Sequence, residues 1–133
     1  MAGEKIVIVA GIGCGRQTST AEIVALIATA LEHFHIVPHD LAVLATESAK
    51  ADEPGLQAAA QQLSVPLLRC SLQQLNAVDQ QLLTRSNRVL ALKGTASIAE
   101  AAALVGAGRH ARLLGARITA GRVTCAIAEG EGS

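Results

Sequence analysis

The sequence predicts a layered α/β fold, with a mainly parallel central sheet flanked by helices and a C-terminal antiparallel hairpin. Two patterns predict it. Short continuous runs of aliphatic and β-branched residues, without polar alternation, mark strands buried on both faces. These runs alternate with segments that open on helix caps, and that alternation is the signature of the α/β class. The 133 residues are 50% hydrophobic and 17% charged, a balance that builds a core rather than a disordered chain. At this size roughly two-thirds of the unfolded surface is buried on folding, which needs no disulfide or metal staple. No internal repeat or Pro/Gly-rich linker divides the sequence, so residues 1–133 read as a single domain.

Residues 5–10, Lys-Ile-Val-Ile-Val-Ala, read as the first strand, and residues 11–18 as a glycine-rich loop. Ser19-Thr20-Ala21-Glu22 is a capping box that opens a helix running to about Phe34. Ile23, Val24, Leu26, Ile27, Leu31 and Phe34 give that helix a broad apolar face, and Val37-Pro38 stops it. Residues 41–45 form a second strand, and residues 46–54 a polar loop. Pro54 suits the first turn of a helix reaching about Leu63. Residues 65–70 are a third strand, after which Ser71 caps a short helix through Leu75. Residues 76–88 have weak periodicity, and residues 89–93 fit a strand or a helical turn equally. Gly94 permits a turn. Ser97-Ile98-Ala99-Glu100 is a second capping box, with Glu100 as its own helix's partner and the helix running to about Val105. Leu113-Leu114 and residues 123–128 complete the hairpin across Ala120-Gly121-Arg122.

Composition narrows the function classes. The formal net charge is zero, and the chain has one Phe, no Tyr and no Trp. It therefore offers neither a global basic field nor an aromatic stacking platform, and nucleic acid is not an expected partner. Cys14, Cys70 and Cys125 are odd in number, widely spaced and free of any CxxC motif, as in a reduced cytoplasmic protein. The apolar run near the N-terminus is too short to span a membrane and lacks a cleavage pattern, so no membrane is expected.

In open α/β sheets ligands bind at the carboxyl ends of the strands. The loops expected there supply the candidate ligand-binding residues: Gly11, Gly13, Cys14, Arg16 and Thr18, then Thr46, Lys50 and Glu53, then Gly94, Thr95 and Ser97. Each loop precedes a helix start, where backbone N–H groups and the helix dipole favour anions. Arg16, Lys50 and Arg117 supply charge to that rim. Gly11-Ile12-Gly13-Cys14-Gly15-Arg16 lacks the third glycine of a dinucleotide fingerprint, and no Gly-Lys-Ser/Thr phosphate loop is present. No cofactor is expected. Cys14 precedes a helix start beside Arg16, both of which lower a thiol pKa. Cys14 and the pair Asp52/Glu53 are the catalytic candidates, although no general base stands beside the cysteine in sequence. His33, His35 and His39 cluster at a helix end, but Pro38 breaks the register a metal site needs.

Gly11-Ile12-Gly13-Cys14, Lys50-Ala51-Asp52-Glu53-Pro54-Gly55-Leu56, Gly94-Thr95-Ala96-Ser97-Ile98-Ala99-Glu100-Ala101-Ala102-Ala103-Leu104 and Val123-Thr124 occur together and in that order. This combination resembles the CobE family of cobalamin (vitamin B12) biosynthesis, which is similar to the C-terminal domain of CbiG. The resemblance covers nearly the whole chain. It implies a protein that binds a precorrin or corrinoid intermediate, a large macrocycle ringed by carboxylates. It also leaves open an enzyme acting on a precorrin, since CbiG opens a precorrin δ-lactone, and a module docking on another pathway enzyme. The family's first loop commonly carries two basic residues after the cysteine; here Gly15 replaces one and Arg16 remains. Its final hairpin is usually Lys-rich, whereas here Arg117 is the cation before the turn. An edge strand in that hairpin is a possible pairing site for a second copy of the chain.

Overall fold

The computed structural model describes residues 6–84 and 97–132. Six strands form one sheet in the order β3-β2-β1-β6-β4, with β5 also pairing β6. The strands are β1 (Val7–Cys14), β2 (Leu41–Glu47), β3 (Leu67–Cys70), β4 (Arg112–Leu113), β5 (Ile118–Ala120) and β6 (Val123–Gly130). β1, β2 and β3 run parallel, as expected of buried aliphatic runs joined by helices. β6 is antiparallel to β1 over eight residue pairs, from Val7 opposite Gly130 to Cys14 opposite Val123. The antiparallel part is therefore at the centre of the sheet as well as at its end.

The helices are α1 (Thr20–His33), α2 (Pro54–Leu63), α3 (Leu72–Ala77) and α4 (Ile98–Ala107). Ser19 and Glu22 close the expected box on α1: Glu22 N donates to Ser19 Oγ at 3.1 Å, and Ser19 N to Glu22 Oε1 at 3.4 Å. Ser71 and Gln74 do the same for α3. α1 buries Ile23, Leu26, Ile27, Ala30 and Leu31, an i, i+3, i+4, i+7, i+8 stripe. That stripe and α2 cover the sheet face made by Ile8, Ala10, Ile12, Leu44, Val123, Cys125 and Ile127. α4 covers the opposite face, against Val9, Ala45, Ala126 and Ala128. Three layers result, and the middle residues of β1 and β6, 8–12 and 125–128, are buried on both faces.

Three expectations are corrected here. β1 does not end at residue 10; it runs through Gly11, Ile12 and Gly13 to Cys14. The glycines are strand residues because their partners continue: Gly11 pairs with Ala45 on one side and Ala126 on the other. The reason for glycine at 11 is the helix above it. A Cβ there would sit 2.5 Å from Ala103 N and 2.9 Å from Ala103 Cβ, and closer still to the carbonyl oxygen of Ala99. Secondly, the hairpin turn joins β5 to β6 with Gly121 at φ 58°, and the Leu113 strand pairs β6 farther along, opposite Ala128. Thirdly, β3 begins at Leu67, after Pro66. The segment 89–93 lies outside the described residues.

This packing predicts opposite fates for two neighbouring glycines. Gly11→Ala should lower stability by about 2 kcal/mol or more, a fall of roughly 8 °C or more in Tm. Gly13→Ala should shift Tm little, because its Cβ would meet Thr124 Cβ at 3.9 Å, an ordinary contact. Thermal unfolding followed by far-UV circular dichroism checks both; equal effects would contradict the close approach of α4 at Gly11.

Candidate functional site

Parallel strands bring their carboxyl ends to one edge, and here that edge carries Cys14, Glu47 and Cys70. β6 runs the other way, so its first residue, Val123, lies opposite Cys14 on the same edge. The two-residue β5–β6 turn, Gly121-Arg122, is thereby delivered beside the segment that follows β1. α1, α2 and α4 all start toward this edge, with Ser19, Glu53 and Ser97 at their N-caps. Helix starts present unpaired N–H groups and the positive end of the dipole.

The edge is tied together mostly by side chains holding main chain. Thr46, fully buried in β2, donates from Oγ1 to Ile12 O at 2.8 Å. Thr18 Oγ1 donates to Gly15 O at 2.7 Å, folding residues 15–18 back on themselves. Gln17, at φ 58°, donates its N–H to Glu53 Oε1 at 2.8 Å. Arg122 Nη2 donates to Arg16 O at 2.7 Å, and Gly15 N to Arg122 O at 3.2 Å. The guanidinium of Arg122 lies over Gly15, with Nη2 3.0 Å from where a Cβ would stand. A cation is thus present beside position 15 although residue 15 itself carries none.

Cys14 is half-buried within this arrangement. Burial pushes its thiol above the ordinary value of 9.0, and the carboxylates of Glu53 and Glu47 push the same way; Lys50 and Arg122 oppose them. The expectation of a thiol lowered by a helix start and Arg16 is corrected, because desolvation is the largest effect. Asp52 and Glu53 do not converge either. Asp52 pairs with Arg69 at 2.6 Å on an exposed surface, and that hydrogen bond holds its carboxyl below the usual range. Glu53 turns to Gln17. The geometry places Lys50 and Arg122, the carboxylates of Glu47 and Glu53, and main-chain donors around a thiol held in its neutral form. It suits holding an anionic ligand better than attacking one.

The other expected residues fall as follows. Arg16 is exposed and Lys50 half-buried at this edge. Gly11 is covered by α4, and Gly13 is partly exposed beside Thr124. Thr18 is buried, as is Ser97, whose Oγ accepts from Glu100 N at 3.4 Å. Arg117 lies before β5, three residues short of its edge end, with its backbone N–H on Glu100 Oε2. Gly94 and Thr95 lie outside the described residues. Arg122 was not anticipated, because it was read only as a hairpin turn. The available signal was the strand following it: a run as long as residues 123–128 can pair with β1 and carry the turn to β1's end. Among the described residues no helix is long and apolar enough to cross a membrane, and no group of His, Cys, Asp and Glu could hold a metal ion.

Two clefts flank the site. One, of about 390 Å³, runs between α1 and the β5–β6 turn, with Glu22, Leu26, Thr29, Ile118 and Gly121 in its wall. The other, of about 400 Å³, lies between α2 and the edge strand β3 and includes Arg69. Glu22 at the first would repel a ligand's carboxylates.

Residues 8–128 match the family described as the cobalamin synthesis G C-terminus. Protein CobE from a Sinorhizobium species is 40% identical over 121 residues, covering 91% of this chain and 79% of that protein. A crystal structure of CobE, a protein from the cobalamin biosynthetic pathway, superimposes with a TM-score of 0.89 at 34% identity, over 96% of this chain and 93% of that one. The cobalamin biosynthesis protein chiG from Agrobacterium tumefaciens superimposes with a TM-score of 0.73 at 41% identity, over 92% of this chain and 97% of that one.

The thiol electrostatics predict slower alkylation of Cys14 by iodoacetamide at neutral pH than of an exposed cysteine, with the pH–rate profile displaced upward. Lys50→Ala should move that profile to higher pH and Glu53→Gln to lower pH, since the lysine favours the thiolate and the carboxylate opposes it. Cys70 and Cys125, pushed by burial to about 11 and about 12, should stay unmodified. Peptide mapping by mass spectrometry reads all three cysteines; rapid modification of Cys14 at pH 7 would contradict the desolvated thiol.

Proposed function

The chain belongs to the cobalamin synthesis G C-terminus family, and from that membership we propose that it binds a precorrin-type tetrapyrrole at the carboxyl edge of its sheet. It is a protein of cobalamin biosynthesis. The observation that carries the binding reading is the placing of Lys50 and Arg122 beside half-buried Cys14, with exposed Arg16 in the adjoining loop, at the edge where the helices begin. A precorrin bears acetate and propionate carboxylates around an extended apolar ring. Arginine and lysine recognise such carboxylates through charge-assisted hydrogen bonds, and helix starts add main-chain donors. Arg122 is a guanidinium already held in place by Arg16 O, so little side-chain freedom is lost on binding.

The same edge favours binding over hydrolysis. The CbiG-type reaction needs a nucleophile or an activated water, and the candidate groups are occupied: Asp52 by Arg69, Glu53 by Gln17, and Cys14 held as a thiol. The protein's role in this reading is to hold an intermediate or pass it to a pathway enzyme.

A visible-absorbance titration with a metal-free corrinoid tests the reading, since the ligand supplies the signal and the chain has no Trp or Tyr. A saturable shift at micromolar concentration is expected. Arg122→Ala, and the double variant Arg16→Ala with Lys50→Ala, should each weaken binding by about tenfold or more, at ~1.5–3 kcal/mol for each lost charged hydrogen bond. Unchanged affinity in both would overturn the site. No shift with any pathway intermediate would favour a docking module for another enzyme.

A further inference from the structure

One buried carboxylate beside this edge has partners well beyond its own helix. Glu100 lies in the first turn of α4, fully shielded from solvent. The expected capping box is only half made: Ser97 Oγ accepts from Glu100 N, but the Glu100 carboxylate turns away to other partners. Oε1 accepts from Leu83 N and Thr84 N, both at 2.8 Å. Oε2 accepts from Thr84 Oγ1 at 2.7 Å and Arg117 N at 2.9 Å. An N-cap partner is worth about 1 kcal/mol and needs no burial. Burying a carboxylate costs far more unless several donors meet it. Among the described residues, four donors from two distant chain segments meet this carboxylate, more than a helix cap requires.

We infer that Glu100 is a positioning residue, which fixes the root of β5 to α4 and so sets where Arg122 stands at the binding edge. The connection is short and continuous. Arg117 N is held by Glu100, β5 follows at once as Ile118–Ala120, and the two-residue turn ends on Arg122. Arg122 in turn is fastened to Arg16 O. The far side of the same carboxylate holds Leu83 and Thr84, so α4, that segment and the hairpin move as one unit. β5 needs such an anchor. It is three residues long and, among the described residues, makes its ladder with β6 alone, and a strand that short is weakly fixed by pairing. The inference rests on the proposed binding reading only for its consequence on affinity, not for the anchoring itself.

The test is amide hydrogen exchange together with corrinoid titration of Glu100→Gln. A glutamine presents one N–H₂ where both carboxylate oxygens accept, so at least one backbone donor loses its partner. Exchange at Leu83, Thr84, Arg117 and Ile118 should quicken roughly tenfold, while Val9, Leu44 and Ile127 in the central strands keep their protection. Corrinoid affinity should fall severalfold although residue 100 touches no ligand, and Arg122→Ala added to Glu100→Gln should weaken binding no further than Arg122→Ala alone. A uniform rise in exchange across all strands, or local loosening with unchanged affinity, would overturn the positioning role. If Arg122→Ala alone binds as the parent does, the binding reading itself fails, whatever the exchange pattern. Should Glu100→Gln not fold, Thr84→Val removes one of the four bonds and leaves the carboxylate in place; quickened exchange at Leu83 and Arg117 with weaker binding is expected, and no change in either would overturn the inference.

Discussion

Everything else in this fold depends on how closely α4 lies on the sheet. Five of its ten residues are alanine, and its buried face is almost entirely alanine. Alanine gives the strongest helix propensity with the smallest side chain, so the helix axis can approach the strands until backbone nearly meets backbone. Gly11 and Gly106 are the complementary positions: a Cβ on Gly106 would come within 2.8 Å of Val9 Cγ1. Each alanine buries little area. The gain comes from dispersion between closely matched surfaces, which is large in sum and unforgiving of an added methyl. The opposite face is built in the ordinary way, with Ile and Leu side chains of α1, and Phe34 just beyond it, filling a wider gap over β1, β2 and β6.

That close approach has functional consequences. It seals one face of β1 and β6 while α1 and α2 seal the other, so polar groups gather at the end the strands share. It also places the first turn of α4 deep enough to bury Glu100 among backbone donors. The proposed binding edge is therefore organised from below by packing and from the side by a carboxylate. Lys50 and Arg122 meet the carboxylates of Glu47 and Glu53 around one half-buried thiol, with Arg16 exposed in the loop that follows it. Arg122 occupies the space left free by Gly15, so charge missing from one loop is supplied by another.

The α/β class, the three parallel strands and every helix start except that of the proline-initiated α2 were legible in local signals: aliphatic runs, two Ser-x-x-Glu boxes and Ser71. Pro54 marked α2 by a different signal, its fixed φ. Less legible was whatever depends on partners distant in sequence. Gly11-Ile12-Gly13 reads as a loop by composition, and only pairing with β2 and β6 makes it strand. Glu100 matches a capping box at i+3, and nothing local shows that Leu83, Thr84 and Arg117 arrive to compete for it. The thiol of Cys14 likewise depends on burial, which sequence neighbours do not report. Of the candidate site, Arg16, Lys50 and Glu53 were found because they lie in loops after strands; Arg122 was missed because its position follows from β6 running antiparallel beside β1.

The most direct test of the account is an NMR titration of ¹⁵N-labelled protein with a metal-free corrinoid. The account predicts saturable chemical-shift changes concentrated at residues 14–18, 48–53 and 121–122, with the β3 edge silent. Changes confined to the cleft between α2 and β3, around Gln57, Gln61 and Arg69, would place the ligand elsewhere and contradict it.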